Sequence, residues 1–86
     1  MPSTAPDLTV TVKLYATLRE YAPADADPRG FRTAVPAGLT VGALADRLQL
    51  PAAQRKVAFR NNVQCPDTAP LQDGDVVAFF PPIAGG

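Results

Sequence analysis

The sequence predicts one small α+β domain in which a single amphipathic helix lies across one face of a β-sheet. Apolar residues alternate with polar ones early in the chain, which is the period of a half-buried strand, and recur at helical spacing in its middle. A nearly all-apolar run near the C-terminus predicts a strand in the centre of the sheet. A length of 86 residues suits one domain with one core.

The first two strands are predicted from alternation. In the first strand the apolar positions are Leu8, Val10, Val12 and Leu14. Residues 18–22 fit one helical turn before Pro23, and residues 24–30 are dense in turn formers, which predicts a mobile surface loop. Residues 31–35 alternate again and predict a second strand that returns antiparallel to the first.

The helix is predicted from spacing and capping. Its apolar residues stand at i, i+3, i+4 and i+7, namely Val41, Leu44, Ala45 and Leu48. Thr40 is placed to cap the first amides, and Leu50 before Pro51 is predicted to end the helix.

Three further strands follow the helix. Val57 and Phe59 mark the third strand, Asn61-Asn62 a tight turn, and Val63-Gln64 a short fourth strand. Asp73-Gly74 is a turn dipeptide ahead of the last strand, residues 76–80, so turn formation is favoured over acid-base chemistry for the nearby aspartates. The predicted core consists of Val10, Val12, Leu14, Val41, Leu44, Leu48, Phe59, Val77 and Phe79.

Composition excludes several classes of function. The chain has no histidine and one cysteine, Cys65, so it lacks the usual residues of nucleophilic catalysis and no metal site is predicted. Eight basic and eight acidic residues cancel, which argues against nucleic-acid binding. No apolar run is long enough for a membrane span, and residues 1–7 do not resemble a signal peptide, so a cytoplasmic protein is expected.

The C-terminal segment, residues 81–86, is predicted to leave the domain as an extended tail. Pro81 and Pro82 disfavour helix, and Gly85 and Gly86 can pass through a channel that admits little more than main chain. The α-carboxylate of Gly86 is therefore the candidate functional group, and a frayed chain end is the alternative. The expected organisation is a disordered extension at residues 1–7, a domain at residues 8–80 and this tail.

Residues 70–86, with the Asp-Gly-Asp turn, Phe-Phe-Pro-Pro and terminal Gly-Gly in one register, resemble the ending of the MoaD group of MoaD/ThiS ubiquitin-like sulfur carriers. Residues 12–20 and 38–44 also resemble that group's opening strand and the start of its helix. The resemblance implies a β-grasp fold, with a mixed sheet of four to five strands and parallel first and last strands at its centre.

The resemblance also implies a function as the small subunit of molybdopterin synthase. A MoeB-like adenylyltransferase of the ubiquitin-activating type would use ATP and Mg²⁺ to adenylate Gly86, and a sulfur donor would convert it to a thiocarboxylate. A MoaE-like large subunit, expected to form a heterotetramer with this chain, would pass the sulfur to cyclic pyranopterin monophosphate and form the molybdopterin dithiolene. The chain itself would bind no cofactor and supply no catalytic side chain.

A partner-binding surface is expected beside the tail. Leu14 and Phe79 are expected to face the helix, so the adjacent Tyr15 and Phe80 are expected to face outward. Exposed aromatic residues tend to anchor protein interfaces. The alternative is that loops cover both side chains. Arg60 is a candidate for attracting acidic surfaces of a partner to this region. The tail residues expected to contact a partner are Pro81, Pro82, Ile83 and Ala84.

Other functions remain open. A thiamine-thiazole carrier or a cysteine-building carrier would use the same terminal chemistry, although Phe79-Phe80-Pro81-Pro82 favours the molybdopterin branch. A ubiquitin-like protein modifier would join Gly86 to a target lysine, and a plain interaction module would leave Gly86 unused. Ala84 departs from the hydroxyl residue often expected before the double glycine, and Asn61-Asn62 replaces a common Asn-Gly or Asn-Gln turn.

Overall fold

The computed structural model describes residues 7–54 and 57–81, so the predicted tail beyond Pro81 and the extension before Asp7 lie outside the described residues. The strands are β1 (Leu8–Leu14), β2 (Phe31–Val35), β3 (Val57–Arg60), β4 (Val63–Cys65) and β5 (Val76–Phe80). The helix is α1 (Val41–Arg47), and two 3₁₀ segments span Ala16–Tyr21 and Ala52–Gln54.

One five-stranded sheet has the order β2-β1-β5-β3-β4. β1 and β5 are parallel neighbours at its centre, with Val12 opposite Val77, and the outer pairs are antiparallel. The predicted α+β fold and the parallel pairing of the first and last strands are confirmed. This is the β-grasp arrangement.

The core lies between α1 and one sheet face. Its buried apolar residues are Val10, Val12, Leu14, Leu18, Phe31, Val35, Val41, Leu44, Ala45, Leu50, Ala58, Leu71, Val77 and Phe79. The prediction of Phe59 as a core residue is wrong. Ala58 pairs with buried Phe79 and shares its face, so the adjacent Phe59 points to the opposite face.

The start of α1 forms as predicted. The Thr40 hydroxyl accepts a hydrogen bond from the Ala43 amide at 3.2 Å, which satisfies one of the free amides of the first turn. The Val41 and Gly42 amides donate to backbone carbonyls of the loop before β5, each at 2.9 Å. The helix N-terminus is therefore fixed to that loop.

The end of α1 differs from the prediction. Gln49 adopts a left-handed backbone with φ 62°, and its amide donates to the Asp46 carbonyl at 3.0 Å. The Leu50 amide donates to the Ala45 carbonyl at 3.0 Å. Together these bonds form a Schellman motif, so the helix ends before Leu48, which is half-buried instead of being a core residue.

Hydrogen bonds connect the segment between β1 and β2 to itself and to β1, and the mobility of residues 24–30 stays a prediction. The helical turn expected at residues 18–22 is the 3₁₀ segment Ala16–Tyr21, which buries Leu18. Beyond it, the Arg29 guanidinium hydrogen-bonds the Asp27 carboxylate at 3.1 Å and lowers the pKa of that carboxyl group. The Leu14 amide donates to the Pro28 carbonyl at 2.8 Å, which fixes the loop to β1.

The turn between β3 and β4 is fixed by side chains as well as by backbone angles. Asn61 and Asn62 have φ of 53° and 70°, which confirms the predicted tight turn. The Asn61 side chain accepts from the Val76 amide at 2.9 Å and donates to Asp75 at 3.0 Å. The second oxygen of buried Asp75 accepts from the Gln72 amide at 2.8 Å, so this carboxylate has a structural role.

The predicted Asp73-Gly74 turn is also present. Gly74 has a left-handed φ of 86°, and its amide donates to the Thr9 carbonyl at 2.8 Å. The Asp73 carboxylate accepts from the Thr9 amide at 2.8 Å. These contacts fix the start of β5 beside β1.

Candidate functional site

The sheet face opposite α1 carries an open depression of about 230 Å³, which we call the outer-face depression. It is lined by Lys13, Tyr15, Phe59, Asn62, Val76, Ala78 and Phe80. Strand alternation explains the set, because the neighbours of its members in β1 and β5, such as Leu14 and Phe79, point into the core. The depression therefore extends along β5, the strand that leads to the tail.

Three aromatic side chains form one wall of the outer-face depression. The rings of Tyr15 and Phe80 are stacked, with centroids 4.4 Å apart and planes 7° apart. Phe59 meets Phe80 edge-on at 5.5 Å and 75°. All three side chains are half-buried, so each retains an accessible surface. The two predicted anchor residues are thus brought together, and Phe59 joins them.

Sequence reasoning missed Phe59 because β3 alone does not fix which face is buried. In β3, Val57 and Phe59 lie on one face and Ala58 and Arg60 on the other. Because Val57 and Phe59 are the larger apolar residues, the sequence suggests that their face is buried. Because of the tight turn and the pairing of Phe59 with Ala78, the Phe59 side chain points away from the core instead. The signal lies in the cross-strand register and not in the strand itself.

Backbone contacts fix the position of the Tyr15–Phe80 pair. The Tyr15 amide donates to the Phe79 carbonyl at 3.3 Å, which extends the pairing of β1 with β5 by one residue. Ala16 then takes a left-handed φ of 52°, and the chain turns into the 3₁₀ segment. Phe80 pairs with Val57 of β3, so its backbone is held by the sheet.

The depression exists because a small residue lies between larger ones. Ala78 pairs with Lys13 on one side and with Phe59 on the other, so these three side chains form a row across β1, β5 and β3. A methyl group in the middle of that row leaves space that a larger residue would fill. Ala78 is therefore the floor of the outer-face depression.

Lys13 is the one charged residue among those that line the depression. All the aspartates and glutamates of the sequence lie within residues 7–54 and 57–81, and none of them forms an ion pair with Lys13. The side chain is half-buried against the sheet. A cation that pairs with no aspartate or glutamate side chain of this chain thus lies beside three aromatic rings.

Arg60 does not line the outer-face depression. It pairs with Val77, whose side chain is fully buried, so Arg60 projects from the helix-facing side of the sheet. Its guanidinium donates to the Pro70 carbonyl at 2.6 Å and supports the loop before β5. Its partner-binding role stays a prediction, on a different face from the aromatic residues.

Cys65 lies on the edge strand β4 opposite Ala58, away from the depression. Burial raises the pKa of the Cys65 thiol, so it is protonated at neutral pH and is not an activated nucleophile. Within the described part of the chain, no three potential ligands from His, Cys, Asp and Glu come together as a metal site. No helix there is long and apolar enough to span a membrane.

The tail begins at the aromatic end of the depression. Pro81 follows Phe80 directly and is half-buried. The predicted site residues Pro82, Ile83, Ala84, Gly85 and Gly86 lie outside the described residues, so their roles stay predictions. The structure does place Pro81, the residue that precedes them in the sequence.

Several solved structures share this fold. Small archaeal modifier protein 1 from Haloferax volcanii is 25% identical, with a TM-score of 0.68 over 88% of this chain and 99% of its own. A putative molybdopterin converting factor subunit 1 from Pyrococcus furiosus is 24% identical, with a TM-score of 0.66 over 88% of this chain and 99% of its own.

A third similar structure comes from a protein complex. It contains subunits 1 and 2 of the molybdopterin-converting factor from Helicobacter pylori, and the matching chain is 21% identical, with a TM-score of 0.53 over 92% of this chain and all of its own. A search of curated protein sequences finds no match. The sequence profile of the ThiS family matches residues 12–86, from the middle of β1 to the double glycine, and the chain therefore belongs to the ThiS family.

Proposed function

We propose that this chain is a sulfur carrier that acts as the small subunit of a molybdopterin synthase. The α-carboxylate of Gly86 is the group that is activated, and Gly85 gives it access to a partner's active site. The large MoaE-like subunit binds the outer-face depression, and the assembled synthase is a heterotetramer. A MoeB-like adenylyltransferase and a sulfur donor act on the same tail before synthase assembly.

The observation that carries this proposal is the position of the Tyr15–Phe80 stack at the end of β5. Stacked, half-buried aromatic residues supply a large, rigid contact area at low entropic cost. Pro81 follows Phe80 directly and only five residues separate it from the chain end, so in this proposal a partner that covers the stack is held close to the Gly86 carboxylate. Docking and delivery would thus use segments that are adjacent in the sequence.

The names of two similar structures support the molybdopterin branch. The Pyrococcus furiosus and Helicobacter pylori proteins are described as molybdopterin converting factor subunits, and the second was solved together with its subunit 2. The Phe79-Phe80-Pro81-Pro82 run supports the same branch. A carrier for thiazole or cysteine synthesis would use the same end group with a different acceptor.

The proposed chemistry requires activation because a carboxylate is a poor electrophile. The adenylating partner, with its own ATP and Mg²⁺, joins Gly86 to AMP and releases pyrophosphate. The sulfur donor displaces AMP and leaves a thiocarboxylate on Gly86. In the synthase, that sulfur is transferred to cyclic pyranopterin monophosphate, the C–S bond to Gly86 breaks, and water supplies the oxygen that restores the Gly86 carboxylate. The chain itself contributes binding, reach and an unbranched end.

The test is direct detection of sulfur at Gly86. The full chain is incubated with the adenylyltransferase of its own organism, ATP, Mg²⁺ and a sulfide source, and then fragmented by mass spectrometry. We expect one oxygen to be replaced by sulfur at Gly86. Assignment to that residue is necessary because oxidation at Met1 or Cys65 adds nearly the same mass.

Two altered tails are the matched controls. Deletion of Gly86, or addition of one residue after it, should abolish sulfur incorporation, whereas binding to the large subunit should fall only modestly because the depression is unchanged. If the intact chain is not adenylated, or if the extended chain transfers sulfur normally, the carrier proposal is wrong.

A second candidate function is protein modification through an isopeptide bond. The observation that favours it is the similarity to small archaeal modifier protein 1. Expression of a tagged chain in its own organism, followed by denaturing purification, distinguishes the two functions. Peptides that carry the tail of this chain on a target lysine would support modification, and their absence alongside a thiocarboxylate would support sulfur transfer alone.

A further inference from the structure

Lys13 gives the outer-face depression a chemical specificity that the aromatic wall alone does not have. Its side chain lies at one end of the cross-strand row that also contains Ala78 and Phe59, and it lines the depression. The other lining residues are uncharged. A partner that covers the depression must therefore remove this ammonium group from water.

The cost of that step decides what the partner must carry. A cation that is transferred unpaired into an apolar interface loses hydration that no apolar contact replaces. Every aspartate and glutamate of this chain lies in the described residues, and none pairs with Lys13. No side-chain carboxylate of this chain therefore supplies the counter-charge, and an acidic side chain of the partner can supply it.

The size and lining of the depression limit its occupant. A volume of about 230 Å³ exceeds the ~30 Å³ share of one water molecule but is below the ~300–1,000 Å³ of typical small-molecule sites. One or two protein side chains fit this space. A single cation among aromatic rings is also unsuited to nucleic acid, whose binding requires several basic contacts.

We infer that the depression receives an apolar segment of the partner that carries one aspartate or glutamate, whose carboxylate pairs with the Lys13 ammonium group. This inference rests on the proposed function, because it names the chemistry of the same partner. Phe59, Tyr15 and Phe80 supply the buried contact area, and Lys13 selects for the acidic residue. A partner with an apolar or basic residue at that point binds weakly.

The test measures binding to the purified large synthase subunit of the same organism. Lys13→Met keeps the methylene stem but removes the charge, and we expect it to weaken binding about tenfold or more, mainly through faster dissociation. Lys13→Arg keeps the charge and should bind nearly as the wild type. Arg47→Met, which changes net charge equally at an exposed position of α1 outside the depression, should bind as the wild type, and thermal unfolding should show that all variants are folded.

A zero-length carbodiimide cross-link locates the paired carboxylate. The sequence contains only two lysines, Lys13 and Lys56, so the coupled peptides are simple to assign. We expect an amide between Lys13 and one aspartate or glutamate of the large subunit, lost in Lys13→Arg because a guanidinium group does not couple. Substitution of that acidic residue by its amide should reproduce the effect of Lys13→Met.

The outcomes separate the two proposals. If Lys13→Met binds as tightly as the wild type, or no cross-link forms at Lys13, while Phe80→Ala still weakens binding, the acidic-partner inference is wrong and the carrier function stands. If the wild-type chain neither binds the large subunit nor acquires a thiocarboxylate, the proposed function fails and this inference fails with it.

Discussion

Gln49 is the residue that closes α1, and its backbone is in the left-handed region, with φ 62°. This conformation costs an L-residue about 1–2 kcal/mol, whereas glycine adopts it freely but loses more entropy on folding. We therefore expect Gln49→Gly to raise the free energy of unfolding by about 0.5–1 kcal/mol. Urea denaturation measures the change. Gln49→Ala, which keeps the Cβ, should give no such gain, and equal effects of the two substitutions would contradict this account.

Phe80 is the residue that contacts both other aromatic rings of the depression. Phe80→Ala should weaken binding of the large subunit by about 2 kcal/mol, because buried aromatic residues carry much of an interface's energy. Calorimetric titration measures the loss, and circular dichroism checks that the monomer is folded. Val63→Ala is the matched control, since Val63 is an apolar residue with 67% exposure that does not line the depression. An equal loss for both variants would remove the special role of Phe80.

Local chemistry made some residues predictable. Thr40 and Asn61-Asn62 act through groups within a few positions of themselves, so the sequence identifies the cap and the tight turn correctly. Phe59 was assigned to the wrong face because its orientation depends on pairing with β5, almost twenty positions away. Residue type carries information about short-range contacts and little about register.

At the level of elements, α1 and the loop before β5 meet at Gly42. A Cβ at this position would lie 2.9 Å from the Asp67 Cβ and 3.2 Å from the Asp67 carbonyl oxygen. Gly42→Ala should therefore destabilise the domain by about 1–3 kcal/mol, although alanine normally favours a helix. Thermal or chemical unfolding measures the sign. In an Asp67→Gly background, which removes the Asp67 Cβ but keeps the carbonyl oxygen, the same substitution should lose part of its penalty, and an unchanged penalty would contradict the side-chain part of the steric explanation.

The elements themselves were largely predictable, and their ends were not. Alternation located β1 and β2, and the apolar run located β5, because periodicity reports which face is buried. The end of α1 was misplaced because Pro51 suggested a stop, whereas the Schellman bonds of Gln49 and Leu50 had already ended the helix. These bonds depend on a positive φ at Gln49, and glutamine is not a residue type that predicts a positive φ.

At the level of the whole molecule, the effect of a substitution on stability should depend on how deeply the residue is buried. Leu44 is fully buried beneath the sheet, and Leu48 is half-buried beyond the end of α1. Leu44→Ala should lower the free energy of unfolding by about 2–5 kcal/mol, a large share of the stability of so small a domain. Leu48→Ala should cost about half as much or less, and equal losses in urea denaturation would mean that both residues are core.

The candidate site was only partly visible in the sequence. Parity alone placed Tyr15 and Phe80 on the outer face, and their aromatic character suggested an anchor. The depression between them could not be predicted, because it arises when Lys13, Ala78 and Phe59 from three separate strands fall into one row. The charge of Lys13 and the small side chain of Ala78 come together only when the strands pair into the sheet.

The central position of β5 has a mechanical consequence. This strand bears four residue pairs with β1 on one side and four with β3 on the other, so a pull on the tail loads both ladders in shear. In shear, the hydrogen bonds of a ladder share the force and must break together. When an edge strand is peeled away, its hydrogen bonds break one at a time. The domain should therefore resist unfolding under a force applied through the C-terminal end of β5 better than under a force that peels an edge strand.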